Sequence, residues 1–86
     1  MQDLKQLRNR IDTIDDQILL FLCERVAICK DIGSAKKALN LPVKDEVREK
    51  EVHLQIKEKA TNLALDPVLL EDVFREIVNM CSAVQE

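Results

Sequence analysis

Arg25 stands where a hydrocarbon is expected. It follows Leu4, Leu7, Ile11, Ile14, Ile18 and Phe21 in a row spaced three and four apart, and Ile28, Ile32, Ala35 and Leu39 continue the row beyond it. A guanidinium buried alone in such a row is costly, so it calls for an anion. The alternatives are a head group that snorkels to water or pairs with an acid of the core. Lys36 follows Arg25 by roughly three helical turns, on the same face and about 16 Å along the axis. Taken singly, Lys36 also fits a solvated lysine at the negative end of the helix dipole.

Three other groups have spacings that matter. Asp45, Arg48 and Glu49 fall at i, i+3 and i+4, on one face of a helix. That pattern suits a polar binding wall, and equally an exposed salt-bridge ladder. Arg8 precedes Asp12 and Asp15 on one face, an arrangement that also describes a surface ion pair. Gln85 extends an apolar stripe by four residues, where a polar terminus is the alternative to a placed amide.

The elements that must position these residues are helices. One Gly and two Pro in 86 residues leave few places to turn, and strong helix formers dominate. The apolar row is a heptad seam sustained for about five repeats, and a seam demands a facing helix. Residues 4–38 would form a rod roughly 50 Å long, which overhangs anything else this chain builds, so its far half needs a second molecule. Asn40 and Pro42 end the pattern and leave a linker over 39–44. A second helix is expected over about 45–61, capped by Asp45 and carrying a modest stripe of Val52, Ile56 and Ala60. A third begins at Asp66-Pro67, a cap followed by a proline suited to the first helical position. Its core face reads Leu70, Val73, Phe74, Ile77, Val78 and Cys81. The expected fold is all-α, a single domain over 1–86 with one long and two shorter helices, intertwined with a second copy in a homodimeric bundle.

Composition narrows the function. The net charge is −3 with acids and bases interleaved, and there is no Tyr or Trp to stack on bases, which argues against nucleic acid. No apolar run reaches the roughly 18 residues of a membrane span, and MQDLKQLRNR is too charged for a signal peptide. Cys23, Cys29 and Cys81 contain no CxxC and read as small apolar side chains in a reducing compartment, which points to the cytoplasm. With His53 the sole imidazole, read as a solvated helix residue, no metal is expected.

Taken in order, the positions resemble a family. LRNRIDTIDDQILLFLCERVAICKDIGSAK is similar to the long first helix of all-helical, AroQ-type chorismate mutases, including their Gly-x-x-Lys. PVKDEVREKEV resembles the family's Pro-Val-x-Asp-x-x-Arg-Glu, and DPVLLEDVFREIVNMCSAVQ resembles its third helix with the terminal Gln in place. The resemblance covers essentially the whole chain. It implies an isomerase that rearranges chorismate to prephenate by restricting its conformer and stabilising the breaking ether oxygen, with no cofactor. It assigns one carboxylate of the substrate to Arg25, the other to Arg8 of the opposite subunit, and the ether oxygen to Lys36 and Gln85. It further assigns the ring hydroxyl to Glu49, helped by backbone near Asp45, with Arg48 lining the pocket and orienting Glu49. Cys81 falls at a substrate-binding position where the family usually has Ser, and a thiol donates poorly. Ser82 replaces it only if the helix is rotated. Two other readings stay open: an isochorismate-pyruvate lyase of the same fold, and a helical dimerisation module without catalysis.

Overall fold

The computed structural model describes residues 3–86. Helix α1 is Leu4–Ala38, α2 is Glu46–Asn62 and α3 is Pro67–Ala83, with no strand among the described residues. Each helix begins at an aspartate, as the chemistry of exposed N–H groups favours. Asp3 opens α1 with a capping box: its carboxylate accepts from the Gln6 N–H at 2.8 Å, while its own N–H donates to the Gln6 side chain at 3.1 Å. Asp45 caps α2 by accepting from the Arg48 N–H at 3.0 Å. Asp66 accepts from the N–H groups of Val68 and Leu69 ahead of the proline.

The two helix ends that face loops close in the same way. Asn40 takes the left-handed conformation, the Leu41 N–H donates to the Lys36 carbonyl at 2.8 Å, and the Asn40 N–H donates to that of Lys37 at 3.2 Å. This is a Schellman motif, with asparagine at the position that otherwise favours glycine. The end of α2 repeats it around Ala64 at φ 58°. An alanine there is strained by about 1 kcal/mol.

Helices α2 and α3 form a hairpin, and α3 packs in turn on α1; α1 and α2 do not pack on each other. Only the C-terminal half of α1 is covered, with Cys29 and Gly33 buried there. In the other half Leu4, Leu7, Ile11, Ile14, Ile18 and Phe21 are 44–70% exposed. The buried apolar residues are just Cys29, Ala60 and Cys81, and no large side chain is fully buried among the described residues. The radius of gyration is 16.2 Å, against about 12 Å for a compact chain of this length. The accessible surface is 7101 Å² for 9.9 kDa, about 1,900 Å² more than a compact monomer of that mass exposes. The excess is α1 projecting beyond the hairpin.

One helix-two residue departs from expectation. His53 is not solvated: it is half-buried, and its Nδ1 is shielded from solvent without a hydrogen-bond partner. It neighbours the Val52–Ile56 stripe closely enough to be drawn in with it.

Candidate active site

The C-terminal half of α1, the linker, the start of α2 and the end of α3 enclose a cavity of about 350 Å³, within the range of small-molecule sites. Its walls are apolar at Ile28, Ile32, Val43, Val52 and Val78. Arg25, Lys36, Asp45, Arg48, Glu49, Ser82 and Gln85 supply the polar lining. Of the seven side chains that the sequence assigns to a site from within one chain, six meet here. The seventh, Cys81, does not line the cavity; its neighbour Ser82 does.

Arg25 is half-buried, and both of its hydrogen-bond acceptors are sulfur. Its Nη1 donates to Cys81 Sγ at 2.6 Å and lies 3.8 Å from Cys29 Sγ. No carboxylate pairs with it among the described residues. Cys81, 3% exposed, therefore acts beneath the guanidinium. Sulfur is a weak acceptor, so it orients the cation and leaves it available to an incoming anion.

The adjacent thiol of Cys29 is pushed up to about 11, first by burial and then by its contact with Cys81, with Arg25 and Lys36 pulling the other way. It stays a neutral thiol across the physiological range. Between the ordinary value of 9.0 and about 11, the folded chain keeps this proton while the unfolded chain releases it. Stability therefore falls as pH rises through that window, by at most about 3 kcal/mol. Urea midpoints at pH 8, 9.5 and 11 measure the decline, and Cys29→Ala should flatten it. An equal decline in Cys29→Ala would assign the effect to other groups.

Lys36 is fixed at the helix end by the Schellman closure through its own carbonyl. Its Nζ donates to the Val43 carbonyl at 2.6 Å and to Gln85 Oε1 at 2.8 Å. Pro42 keeps the linker extended so that Val43 can turn back over the end of α1. Gln85 lies just past α3, in a final turn closed by its N–H on the Ser82 carbonyl at 3.1 Å. Because Lys36 occupies the amide oxygen, the amide nitrogen is left to donate.

At the start of α2, Glu49 is half-buried on the cavity wall. The Asp45 carboxylate is engaged as the helix cap. Arg48 lines the cavity, yet its guanidinium pairs with Glu51 at 3.4 Å rather than with Glu49. The i+3 neighbour on the solvent side is the nearer acid, and both partners are more than half exposed, so the pair is weak. Arg8 lies on the uncovered half of α1, is exposed, and does not line the cavity. Among the described residues it pairs with neither Asp12 nor Asp15. No three His, Cys, Asp or Glu side chains among the described residues converge as a metal would require.

The reading of the sequence kept Ser82 only as a replacement for Cys81 on a rotated helix, and it passed over Cys29 on the wall and Val43 as an acceptor. The first turns on the orientation of the last turn of α3, which spacing alone does not fix. The other two follow only from the fold.

Three helices surround a cavity that carries arginine, lysine and an amide beside two carboxylates. Comparison with known proteins gives the family. The model of chorismate mutase type II matches residues 7–86, and the chain belongs to that family, which is one of isomerases. The chain is 28% identical over 86 residues to a chorismate mutase of Methanocaldococcus jannaschii, covering all of this chain and 87% of that protein. It is 34% identical over 89 residues to a bifunctional chorismate mutase/prephenate dehydratase of Aquifex aeolicus, of which it spans only 25%. A solved structure of a conserved hypothetical protein from Pyrococcus furiosus superposes with a TM-score of 0.77 at 36% identity, covering 96% of this chain and 95% of that one. No described helix is long and apolar enough to cross a membrane.

Proposed function

We propose that this chain is a single domain over 1–86 that rearranges chorismate to prephenate in the cytoplasm, as a homodimer and without a cofactor. The reaction is unimolecular. The substrate is a dianion that must be held in a folded conformer while an ether C–O bond breaks and its oxygen gains negative charge. Those demands are met by positioning and by donors already in place. The observation that carries the reading is Arg25, a half-buried cation held by sulfur and facing the cavity that Lys36 and Gln85 share.

In this reading Arg25 takes one carboxylate, while Lys36 and the Gln85 amide nitrogen donate to the ether oxygen. Lys36 already reaches two acceptors in that part of the cavity, which leaves its third ammonium N–H for the substrate. Glu49 accepts from the ring hydroxyl beside the α2 cap at Asp45. Arg48 lines the entrance. Ser82 is better placed than Cys81 for a direct polar contact.

The second carboxylate needs a further cation, since Arg25 and Lys36 are engaged and Arg48 is turned to Glu51. Arg8 is roughly 25 Å from Arg25 along one straight helix, so the same chain cannot supply it. An antiparallel α1 from a second copy, crossing near residues 17–22, carries Arg8 towards residues 25–36 of the first. Two-fold symmetry then makes two equal sites. The surface excess of about 1,900 Å² per chain is of the size that obligate dimers bury, and the exposed seam from Leu4 to Phe21 is the face to bury.

The test is direct. Chorismate loss followed by absorbance, with prephenate as product, should accompany a dimer in sedimentation. The protein has no Trp or Tyr to interfere. An intact dimer that leaves chorismate untouched would overturn the assignment. Pyruvate release from isochorismate at a greater kcat/KM would transfer it to the lyase.

A further inference from the structure

We propose that Gly33 is a positioning residue: its missing side chain lets the end of α3 settle on α1, so that the Gln85 amide reaches both Lys36 and the cavity. The proposal rests on the reading of Gln85 as a donor to the substrate.

Gly33 is the only glycine in the chain, and it lies inside the longest helix. Glycine is a poorer helix former than alanine, so its presence there calls for a reason. Its backbone is not in the left-handed region, so conformational freedom does not explain it. Close approach does. Gly33 is buried, and a Cβ built on it would lie 2.9 Å from Gln85 Cα, 3.1 Å from its Cβ and 3.2 Å from its Cγ. The nearest of these atoms is backbone, so the contact cannot be relieved by turning a side chain.

Residue 33 is held on both sides by α1, which runs on to Ala38. Gln85 lies beyond the last residue of α3 and is tied back by one hydrogen bond to Ser82. An added methyl group therefore moves Gln85. Ordinary carbon–carbon contact at about 3.5–4.0 Å requires a shift of roughly 0.5–1 Å. Lys36 follows Gly33 by one turn and holds Gln85 Oε1 at 2.8 Å. The helix face that positions the cation also admits its amide partner, so one displacement disturbs both donors. A misplacement of about 1 Å in a preorganised site costs up to about a hundredfold in rate.

The test is a double-mutant cycle in the whole chain, read by steady-state kinetics with chorismate. Gly33→Ala should lower kcat about tenfold or more with KM within about twofold, the pattern of a contact made in the transition state. Gln85→Ala should lower kcat by about a hundredfold. In the Gln85→Ala background, adding Gly33→Ala should change kcat by less than about twofold, since there is no amide left to misplace. If Gly33→Ala folds too weakly to assay, the cycle is run with Ala64→Gly, which relieves the left-handed alanine far from the cavity. A Gly33→Ala rate equal to wild type overturns the proposal, as does a glycine effect carried in full into the Gln85→Ala background, which would mark a purely structural role. A wild-type rate in Gln85→Ala is a different failure: it removes the reading of Gln85, and the proposal with it.

Discussion

Arg25→Ala should lower kcat/KM by about a thousandfold while the three helices remain folded. The guanidinium contributes no ion pair to the fold, since its acceptors are the sulfurs of Cys81 and Cys29. Its removal leaves two thiols facing an enlarged cavity, a modest loss for a protein interior. What disappears is the charge that meets a carboxylate in a partly desolvated site, and truncating one side of such a pair costs about 2–5 kcal/mol. Circular dichroism checks the fold and the absorbance assay checks the rate. The proposed sharing of the site adds a sharper outcome. Arg8→Ala and Arg25→Ala chains are each inactive alone, but a heterodimer of the two contains one site with both arginines intact. After equal mixing and full exchange, about a quarter of wild-type activity should return, because half of the dimers are mixed and half of their sites are whole. Exchange demonstrated by mass with no return of activity would place both carboxylate ligands on one chain, or exclude Arg8.

Much of the architecture was legible because its punctuation is chemical. Asn40 and Pro42 end α1, Asp45 caps α2, and Asp66-Pro67 opens α3 at the positions where the structure has these boundaries. The seam from Leu4 to Phe21 was legible as a surface lacking a cover, and it is bare in the single chain. Arg25 was legible as the member of that seam that is not a hydrocarbon. The meeting of Lys36 with Gln85 was not, because the two are joined only when α3 doubles back on α1; it entered through the family resemblance. The choice between Cys81 and Ser82 was out of reach for a geometric reason. Adjacent helical residues differ by about 100° in direction, and the face that a short helix presents at its last turn depends on how that end packs. Gly33, which fixes that packing, was visible as part of a Gly-x-x-Lys spacing but not as a contact, since the atom it accommodates lies at the opposite end of the chain. The Arg48–Glu51 pair shows the converse: Arg48 has an acid three residues to either side, and with Asp45 engaged as the helix cap it pairs with the exposed Glu51.

Gln85→Glu should give the enzyme a pH dependence that the native chain lacks. In the native chain the amide oxygen accepts from Lys36 Nζ at 2.8 Å, which leaves the NH₂ to donate to an ether oxygen. An amide has no proton to lose, so its contribution should be flat from about pH 5 to 9. A carboxylate in its place can only accept, and it would set negative charge against an oxygen that is itself becoming negative. The loss at neutral pH should be about a hundred- to a thousandfold in kcat, the range seen when a donor to a developing oxyanion is removed. Protonation restores a donor. The sign of the shift follows from Lys36: a cation in contact favours the ionised form and holds the introduced carboxyl below the usual value of about 4.3. Activity in Gln85→Glu should therefore climb only as pH drops towards and below about 4.3, while the wild type gains nothing there. A pH–rate profile of the two proteins from 4 to 9 separates the possibilities. A variant as fast as wild type at pH 7.5 would remove Gln85 from the ether oxygen. A bell-shaped wild-type profile would mean that a titrating acid and base carry the chemistry, which a site built from sulfur-held arginine, lysine and an amide does not provide.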